Sequence, residues 1–367
     1  MSKVYFWNLR TTRKSPHALK MKKLLKQSGL NAIIDPGNLV ALKVHFGESG
    51  NTGYLNALNL RPIVDFLKKA GAKPFFTDTS TLYVGDRGES VSHGLLAARH
   101  GYDPNIVGAP VMFADGLRGE YETTIPFDGK HISEAYVGGM FMESDMMVTL
   151  NHVKGHGLAG YGGAIKNVGM GCASKKGKMH IHVSTGPKLK PEHCTGCGVC
   201  INECAAEALD LDDDGRITMN GKCTGCGRCF LSCRYSAIII DWQRDVEEFT
   251  RRLIEYNKAI LDRLKRPAMH INFLMNITPD CDCHGYSDAP VCPDLGVMIS
   301  SDPVAIDQAS LDMINAAPPL YPSRLPEGLS QGDDKFKALT PETPDSFGLR
   351  YAEEIGLGSR NYKLVTI

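Results

Sequence analysis

The chain has no excess of either charge. Its 367 residues include 41 Lys and Arg and 41 Asp and Glu, so the formal net charge is zero. Nucleic-acid and anionic-membrane binding both depend on an excess of positive charge, and the balance argues against both classes. We therefore expect neither a nucleic acid nor a membrane among the partners.

Long apolar runs are missing as well. No stretch approaches the roughly 20 residues that cross a bilayer, and the segment from Met1 to Ser15 lacks the apolar core of a secretory signal. These absences lead us to expect a cytoplasmic protein. With 43% apolar and 22% charged residues, the composition is that of a globular protein with a sizeable core, which excludes disorder.

Cysteine is abundant and clustered. Eight of the 12 cysteines lie within the 40 residues from Cys194 to Cys233. In a reducing cytoplasm, such clustering indicates metal or cluster ligation rather than disulfides. The segments CTGCGVCINEC and CTGCGRCFLSC match at seven of eleven positions at an offset of 29 residues, which makes them an internal repeat.

Each half of the repeat has the spacing C-x2-C-x2-C-x3-C. In bacterial ferredoxins this run holds two 4Fe–4S clusters, and the fourth cysteine crosses to the other cluster. Ala205 and Arg234 replace the proline that usually follows the fourth cysteine. A structural zinc pair is the alternative, but zinc sites favour ligand pairs separated by a longer spacer. The spacing therefore predicts two clusters, held by Cys194, Cys197, Cys200 and Cys233 and by Cys223, Cys226, Cys229 and Cys204.

Strand and helix patterns alternate on both sides of this segment. A helix is predicted over 58–69, a long helix over 242–265, and a further helix opened by Asp302 and Pro303. The predicted strands are 4–7, 39–46, 72–78, 145–156, 269–277, 294–300 and 362–367.

This rhythm predicts an α/β fold with a mostly parallel sheet and helices on both faces. A ferredoxin-like α+β module with two 4Fe–4S clusters interrupts it. The expected boundaries are 1–186 and 242–367 for the two parts of the α/β domain and 187–241 for the module. Ligands of such sheets usually lie beyond the carboxyl ends of the strands.

A glycine-rich segment follows the predicted strand 145–156. Seven glycines lie within the 17 residues 155–171, and such a loop lets backbone N–H groups approach a phosphate or a carboxylate. Just upstream, His152, Lys154 and His156 alternate, so in extended backbone their side chains project from one face. Tight turns with histidines bonded to the backbone are the alternative.

These patterns predict a site at the carboxyl end of the sheet. Histidine suits proton transfer or metal binding there because its pKa lies near neutrality. The MHIHV segment places His180 and His182 either on a strand face or among ligands. The predicted catalytic residues are His45, His152, His156 and Lys166, and the predicted substrate- or anion-binding residues are Lys43, Lys154, Tyr161, Gly162 and Gly163.

A third cysteine group follows the predicted strand 269–277. Because a C-x-C pair in extended backbone points both sulfurs to one side, Cys281 and Cys283 could chelate one ion, completed by Cys292 or His284. Cys172 is a further candidate, and free buried thiols are the alternative. We expect an additional metal ion or a third cluster here.

Several motifs together resemble a known family. In order they are LVALKVHFGESGNTGYL, GAKPFFTDTSTLYVGDR, NHVKGHGLAGYGGAIKNVGMG, the double cysteine motif, TPDCDCHGYSDAP and SSDPVAIDQAS. Over almost the whole chain they resemble the uncharacterised iron–sulfur proteins of domain-of-unknown-function family 362. The resemblance implies an α/β domain with an inserted ferredoxin-like module, without a settled reaction.

The segment from His156 to Lys166 is also similar to a signature of the lactate racemase family. In that family histidines and a lysine surround a nickel-pincer nucleotide, and His182 lies near the position of a metal-binding histidine. The segment 169–171 departs from the family's proline-glycine step. The likeness covers barely 30 residues, and it implies a related fold and a cleft for an organic anion or a cofactor.

The sequence therefore predicts an iron–sulfur oxidoreductase. Single electrons would pass through two 4Fe–4S clusters to or from a small anionic substrate or cofactor, with a ferredoxin or a reductase as redox partner. One alternative is a ferredoxin-like electron carrier without its own substrate, although a carrier needs only about 55 of these residues. Another is a metal-dependent isomerase or racemase-like enzyme whose clusters are structural.

Overall fold

A computed structural model describes residues 1–83, 85–182, 187–223, 227–240, 246–343 and 347–367. Strands and helices alternate along these ranges, as the sequence predicts. The strands in them are β1 (Ser2–Trp7), β2 (Leu39–Val44), β3 (Lys73–Thr77), β4 (Glu122–Pro126), β5 (Glu134–Gly138), β6 (Met146–His152), β7 (Lys154–His156), β8 (Gly160–Gly162), β9 (Lys188–Leu189), β10 (Leu209–Leu211), β11 (Ile217–Met219), β12 (Ile238–Ile239), β13 (Met269–Leu274), β14 (Gly296–Ser300) and β15 (Tyr362–Thr366).

The α-helices of the same ranges cover the sheet and the loops that connect its strands. They are α1 (His17–Gln27), α2 (Arg61–Lys69), α3 (Ser90–Arg99), α4 (Pro104–Val107), α5 (Gly139–Glu143), α6 (Ala164–Gly169), α7 (Lys175–His182), α8 (Val199–Asn202), α9 (Arg228–Ser232), α10 (Val246–Arg263), α11 (Pro303–Ala316), α12 (Lys335–Leu339) and α13 (Phe347–Glu354). Across the part of the chain that the structure describes, no helix is both long enough and apolar enough to cross a membrane.

Seven strands form one mostly parallel sheet, in the order β15-β1-β14-β13-β6-β2-β3. The neighbours β1 and β15, β6 and β13, β2 and β6, and β2 and β3 pair in parallel. Strand β14 pairs antiparallel with both β1 and β13. All strands except β14 therefore run in one direction, and their carboxyl ends share one edge of the sheet.

Helices cover both faces of this sheet, as the sequence predicts. In β2, Val40 and Leu42 pack into the apolar cluster that α1 and α2 also enter. Ala41 points the other way, into the cluster formed with α6 and α10, because successive strand residues face opposite sides. Each fully buried leucine or valine contributes about 1.5–3 kcal/mol to folding. The two apolar clusters therefore place α1 and α2 on one face of the sheet and α6 and α10 on the other.

Three expectations about the elements differ from the structure. The predicted strand 145–156 is two strands, because β6 ends at His152 and β7 pairs with β8 in a separate hairpin. The predicted helix 58–69 begins as a 3-10 turn over Ala57–Asn59 and becomes α2 only at Arg61. The MHIHV histidines lie on α7, so the strand-face alternative for them is wrong.

The cysteine-rich segment forms two short ribbons and two short helices. The ribbons pair β9 with β12 and β10 with β11, so each ribbon takes one strand from each half of the repeat. Helices α8 and α9 begin at equivalent positions, each after a glycine in the left-handed region, Gly198 at φ 70° and Gly227 at φ 78°. The two halves are therefore interlocked. The expected boundaries at 186 and 241 lie outside the described residues.

Candidate functional site

A cavity of about 680 Å³ opens at the carboxyl ends of β2, β3 and β6. Its size is typical of small-molecule and cofactor sites, and its position is where α/β sheets bind ligands. Positive charge predominates among the described residues that line it, which favours an anionic occupant. The charged lining residues, apart from the histidines, are Lys43, Arg87, Lys154, Lys166, Lys178 and Arg324 together with Asp78 and Glu342.

Lys43 lies in the cavity wall, where Asp78 neutralises its charge. Its Nζ is 2.9 Å from Asp78 Oδ1 and donates to Asn167 Oδ1 at 2.8 Å. Burial raises the pKa of Asp78, but the positive charge of Lys43 and its neighbours outweighs burial and holds that pKa below its usual value. The carboxylate therefore stays ionised. Lys43, predicted to bind an anion, is committed to this buried pair.

His45 faces the cavity as an uncharged imidazole. Burial and the nearby Arg87 guanidinium hold its pKa well below the usual value. Arg87 Nη1 lies 2.8 Å from Nε2, and the Gly47 N–H donates to Nδ1 at 3.0 Å. Arg87 also pairs with Glu48 at 3.0 Å. Because its pKa is lowered and both ring nitrogens face N–H donors, His45 is a weak proton acceptor near pH 7.

Asp282 connects His152 and Lys154 beneath the cavity. Its carboxylate is 2.9 Å from His152 Nδ1 and 3.0 Å from Lys154 Nζ. Burial lowers the pKa of Lys154, but Asp282 together with Cys281 and Cys283 raises it by more, so Lys154 stays charged. His152 Nε2 meets the carbonyl of Asn276 at 2.9 Å. Both ring nitrogens thus face acceptors, and His152 is a positioning residue rather than the predicted proton-transfer residue.

His156 and the C-x-C pair form a compact group. One donor atom from each of His156, Cys281 and Cys283 lies within 4.8 Å of the others. Lys166 Nζ and the Cys283 N–H each lie 3.5 Å from Cys281 Sγ. The structure therefore brings together two of the predicted catalytic residues, His156 and Lys166, with two of the predicted metal ligands.

The two sulfurs of this group have opposite protonation preferences. The hydrogen bond from the Cys283 thiol lowers the pKa of Cys281 well below the usual value, and Lys166 and His156 help to overcome the opposing effect of burial. The same hydrogen bond and burial raise the pKa of Cys283. These shifts favour a thiolate at Cys281 beside a thiol at Cys283.

Cys292 does not join this group, which corrects the predicted third site. It is buried in the apolar cluster of Ile277 and Val291, and burial raises its pKa to about 12. Cys172 is likewise buried in apolar surroundings, and burial raises its pKa to about 12. Both fit the alternative of buried thiols. His284, the other suggested ligand, lines the cavity with an exposed side chain.

The orientation of His156 also argues against a metal ion at the C-x-C pair. Its Nδ1 accepts the N–H groups of Leu158 at 3.2 Å and Ala159 at 3.0 Å, so the ring proton lies on Nε2. A metal-bound histidine usually donates its second ring N–H to an acceptor instead. The group therefore fits a thiolate stabilised by hydrogen bonds better than a metal centre.

At the start of α6, the N–H groups that end the glycine-rich loop are already bonded within the protein. Asp307, on α11, accepts the N–H groups of Ala164 at 2.8 Å and Ile165 at 3.0 Å, so it already occupies the first N–H groups of α6. A Cβ on Gly163 would lie 2.5 Å from Asp307 Oδ1. Tyr161, predicted to bind substrate, directs its hydroxyl to Asp307 at 3.4 Å. Gly162 and Gly163 do line the cavity.

Lys178 is a cavity residue that the sequence analysis missed. It lies on α7, where its Nζ donates to the carbonyl of Ala173 at 2.7 Å and to the Thr79 hydroxyl. Burial lowers its pKa to about 8. His182 lies on the same helix and also faces the cavity, and burial lowers its pKa to about 3. Arg87 and Asp282 were missed too, although Asp282 lies between two predicted ligands.

The cysteines of the repeat gather around two small cavities. A backbone N–H points at a sulfur in each set, from Gly196 to Cys194 at 3.4 Å and from Ala208 to Cys204 at 3.2 Å. Such N–H groups favour cluster sulfur and tune its potential. Cys226 lies outside the described residues. The first cavity is lined by Cys194, Cys197, Cys200 and Cys233, and the second by Cys204, Cys223 and Cys229.

This chemistry fits the predicted 4Fe–4S clusters. Each set consists of thiol side chains alone, drawn from both halves of the repeat, which is the crossed pattern of bacterial ferredoxins.

The second cysteine set lies against the wall of the large cavity. A Cβ on Gly227 would be 2.9 Å from Met179 and 3.4 Å from Leu82. Leu82 and Met179 form an apolar cluster that Phe230 of α9 joins, and Leu82 also lines the large cavity. One layer of side chains thus separates the cysteine loop from the cavity.

Comparison with known families gives one match over most of the chain. A family model described as "Domain of unknown function (DUF362)" matches residues 40–312. A probable ferredoxin of Methanosarcina thermophila is 48% identical over 33 residues, which is 9% of this chain and 57% of that protein. The short match supports the ferredoxin-like character of the chain.

Two solved structures show a distant likeness to the chain. The lactate racemase apoprotein of Thermoanaerobacterium thermosaccharolyticum is 13% identical, with a TM-score of 0.40, over 74% of this chain and 50% of that chain. A protein from Thermotoga maritima is 9% identical, with a TM-score of 0.41, over 72% and 52% of the two chains. The chain thus spans about half the length of each, and similarity at this level carries no functional argument.

Proposed function

We propose that this chain, which belongs to the DUF362 family, is an iron–sulfur enzyme. It would exchange single electrons between two 4Fe–4S clusters and a small anionic substrate or cofactor in the large cavity. The crossed cysteine sets and the short ferredoxin match support the clusters. When bound, the clusters supply or accept electrons one at a time.

The chain's own side chains would bind and orient the anion. Lys43, Lys154 and Arg324 are paired with Asp78, Asp282 and Asp280, so their charges are largely compensated. Among the described residues, neither Lys166 nor Lys178 forms an ion pair with a carboxylate. Lys178 therefore supplies positive charge for an occupant, and Lys166 shares its charge between an occupant and the Cys281 sulfur 3.5 Å away.

Proton movement in the cavity would use Lys178. Lys178, with a pKa lowered by burial to about 8, can give one up and regain it close to neutrality. Electron transfer and proton transfer would then take place in the same cavity, as reduction or oxidation of an organic anion requires.

The position of Leu82 between the large cavity and the loop of the second cysteine set is the observation that carries the proposal. Leu82 lines the large cavity and packs with Met179, beside the loop that holds the second cysteine set. A simple carrier has no use for a cationic cavity of about 680 Å³ at that place. For the isomerase alternative, no contact of the described residues gives comparable support.

The test measures the linkage between the cavity and the clusters. Anaerobically prepared protein should contain about eight iron and eight sulfide per chain and give a paramagnetic resonance signal on reduction. Adding malonate, a small dianion, should shift the reduction potential of a cluster. Lys166→Gln and Lys178→Gln should abolish the shift, whereas Lys130→Gln should keep it, because Lys130 pairs with Glu354 at the surface.

Two results would contradict the proposal in different ways. Protein that binds zinc and no iron would remove the clusters. The other result is protein that contains its full iron, while malonate shifts the cluster reduction potential in neither the wild type nor any variant. That result would show that the cavity is not linked to the clusters, and it would favour the carrier alternative.

A further inference from the structure

We infer that Cys281 and Cys283 are a redox-active dithiol in the cavity wall, which closes reversibly to a disulfide and so handles electrons in pairs. The pair follows β13, in a turn closed by the hydrogen bond from the His284 N–H to the Cys281 carbonyl at 3.0 Å. Cys283 lines the cavity, whereas Cys281 is buried behind it.

The turn is held so that the two sulfurs stay close. Their atoms are within 4.8 Å of each other, and the Cys283 thiol is directed at Cys281. The Tyr83 hydroxyl donates to the Cys283 carbonyl at 3.2 Å. Between the two cysteines, the Asp282 carbonyl accepts the Glu48 N–H at 2.9 Å. A disulfide would bring the two sulfurs from within 4.8 Å of each other to bonding distance.

The surroundings of Cys281 favour the attacking form of a thiol. The Lys166 ammonium and the Cys283 N–H both lie 3.5 Å from its sulfur. Thiol–disulfide exchange proceeds through the thiolate, and a neighbouring cation together with N–H donors stabilises that anion. Cys281 thus has the features of the nucleophile, and Cys283 those of the partner that meets the cavity contents.

The electron balance of the step is simple. The Cys281 thiolate and the Cys283 thiol form one S–S bond and release two electrons and the proton of Cys283. For the destination of the electrons the inference rests on the proposed function, because two 4Fe–4S clusters accept one electron each. In reverse, two reduced clusters and one proton open the disulfide. The pair would convert single electrons into a two-electron reagent beside the anion site.

The first experiment tests the dithiol without depending on the clusters. The full chain is equilibrated anaerobically in dithiothreitol buffers of graded potential, quenched in acid, alkylated and analysed by mass spectrometry. We expect Cys281 and Cys283 to lose alkylation together in one two-electron transition, while Cys292 stays alkylated throughout. Cys292→Ser should leave the transition unchanged, and in Cys281→Ser the remaining Cys283 should stay alkylated at every potential.

The second experiment tests where the electrons go. The clusters of the disulfide form are photoreduced, and the paramagnetic resonance signal is followed while thiols are counted. We expect the signal to decay as two thiols appear for two electrons, and to persist in Cys283→Ser.

The outcomes distinguish this inference from the proposed function. Absence of any coupled loss of alkylation overturns the dithiol, and so does a transition that appears only after zinc is removed with a chelator, since the sulfurs would then hold metal. If the paramagnetic resonance signal of the reduced clusters persists while the disulfide stays intact, electron transfer from the clusters to the disulfide is overturned. Iron-free protein overturns the proposed function, while the dithiothreitol titration still decides the dithiol.

Discussion

Replacing Asp282 with asparagine tests the buried charge network beneath the cavity. The substitution keeps the size of the side chain and removes the charge that pairs with His152 Nδ1 at 2.9 Å and Lys154 Nζ at 3.0 Å. Breaking a buried pair by removing one partner costs about 3–5 kcal/mol, because the other charge stays buried without compensation. A loss of about 4 kcal/mol raises the unfolding equilibrium constant about a thousandfold.

The effect should depend on pH in a defined way. Burial raises the pKa of Asp282, but His152 and Lys154 hold it below the usual aspartate value. A carboxyl group whose pKa is lowered by folding contributes its full stabilisation above the unfolded pKa and loses it as the pH falls through the folded value. The difference between wild type and Asp282→Asn should therefore be constant from about pH 7 to about pH 5 and shrink only below about pH 4.

Urea denaturation followed by circular dichroism measures the loss. The matched control is Asp280→Asn in the same loop, because Asp280 pairs with Arg324 and the two side chains are 14% and 49% exposed. A pair that solvent reaches from the Arg324 side should contribute less than the buried pairs of Asp282. Equal midpoints for the two variants would refute the reasoning. If Asp282→Asn does not fold, the double variant with Lys154→Met should recover part of the stability, because one unpaired charge is then gone.

Two further predictions concern the cavity and the cysteine loops. Because burial lowers the pKa of Lys178 to about 8, malonate affinity should fall about tenfold between about pH 7 and about pH 9, when the ammonium group loses its charge. Lys178→Arg should bind without that pH dependence in calorimetry, and an equal decline in both proteins would contradict the assignment. Gly198→Ala should lose iron to a chelator faster than wild type, since a left-handed alanine costs about 1–2 kcal/mol. Gly227→Ala should lose it faster still, because its Cβ would also lie 2.9 Å from Met179, while Gly221→Ala, with open space around it, should behave as wild type.

The sequence predicts the elements of the fold better than their arrangement. Apolar runs predicted all seven strands of the large sheet. A cap signal predicted the start of α11, where the Asp302 carboxylate accepts two N–H groups at 2.9 Å. The reversed direction of β14 could not be predicted, because a strand buried on both faces has the same apolar pattern in either direction. The break after β6 has no signal either, since Val153 still donates to Phe273 of β13 at 3.1 Å before the chain leaves the sheet.

Distance along the chain misled the prediction of the third cysteine site. Cys292 is close to Cys281 in sequence, yet it turns into the apolar core. His156 is far away in sequence, but β6 and β13 are parallel neighbours in which His152 pairs with Phe273. The loops that leave their carboxyl ends therefore meet, and His156 arrives beside the C-x-C pair. Pairing of strands decides such contacts, and a single sequence does not contain it.

The crossed ribbons make assembly of the cysteine-rich segment an all-or-none event. Neither half of the repeat contains a complete ligand set, and each ribbon requires a strand from the other half. Removing iron from one cysteine set would therefore loosen strands that position the other set. Chains with a single cluster should be rare, and the two clusters should bind cooperatively. A backbone cut between β10 and β11 would leave two fragments that acquire colour only when mixed.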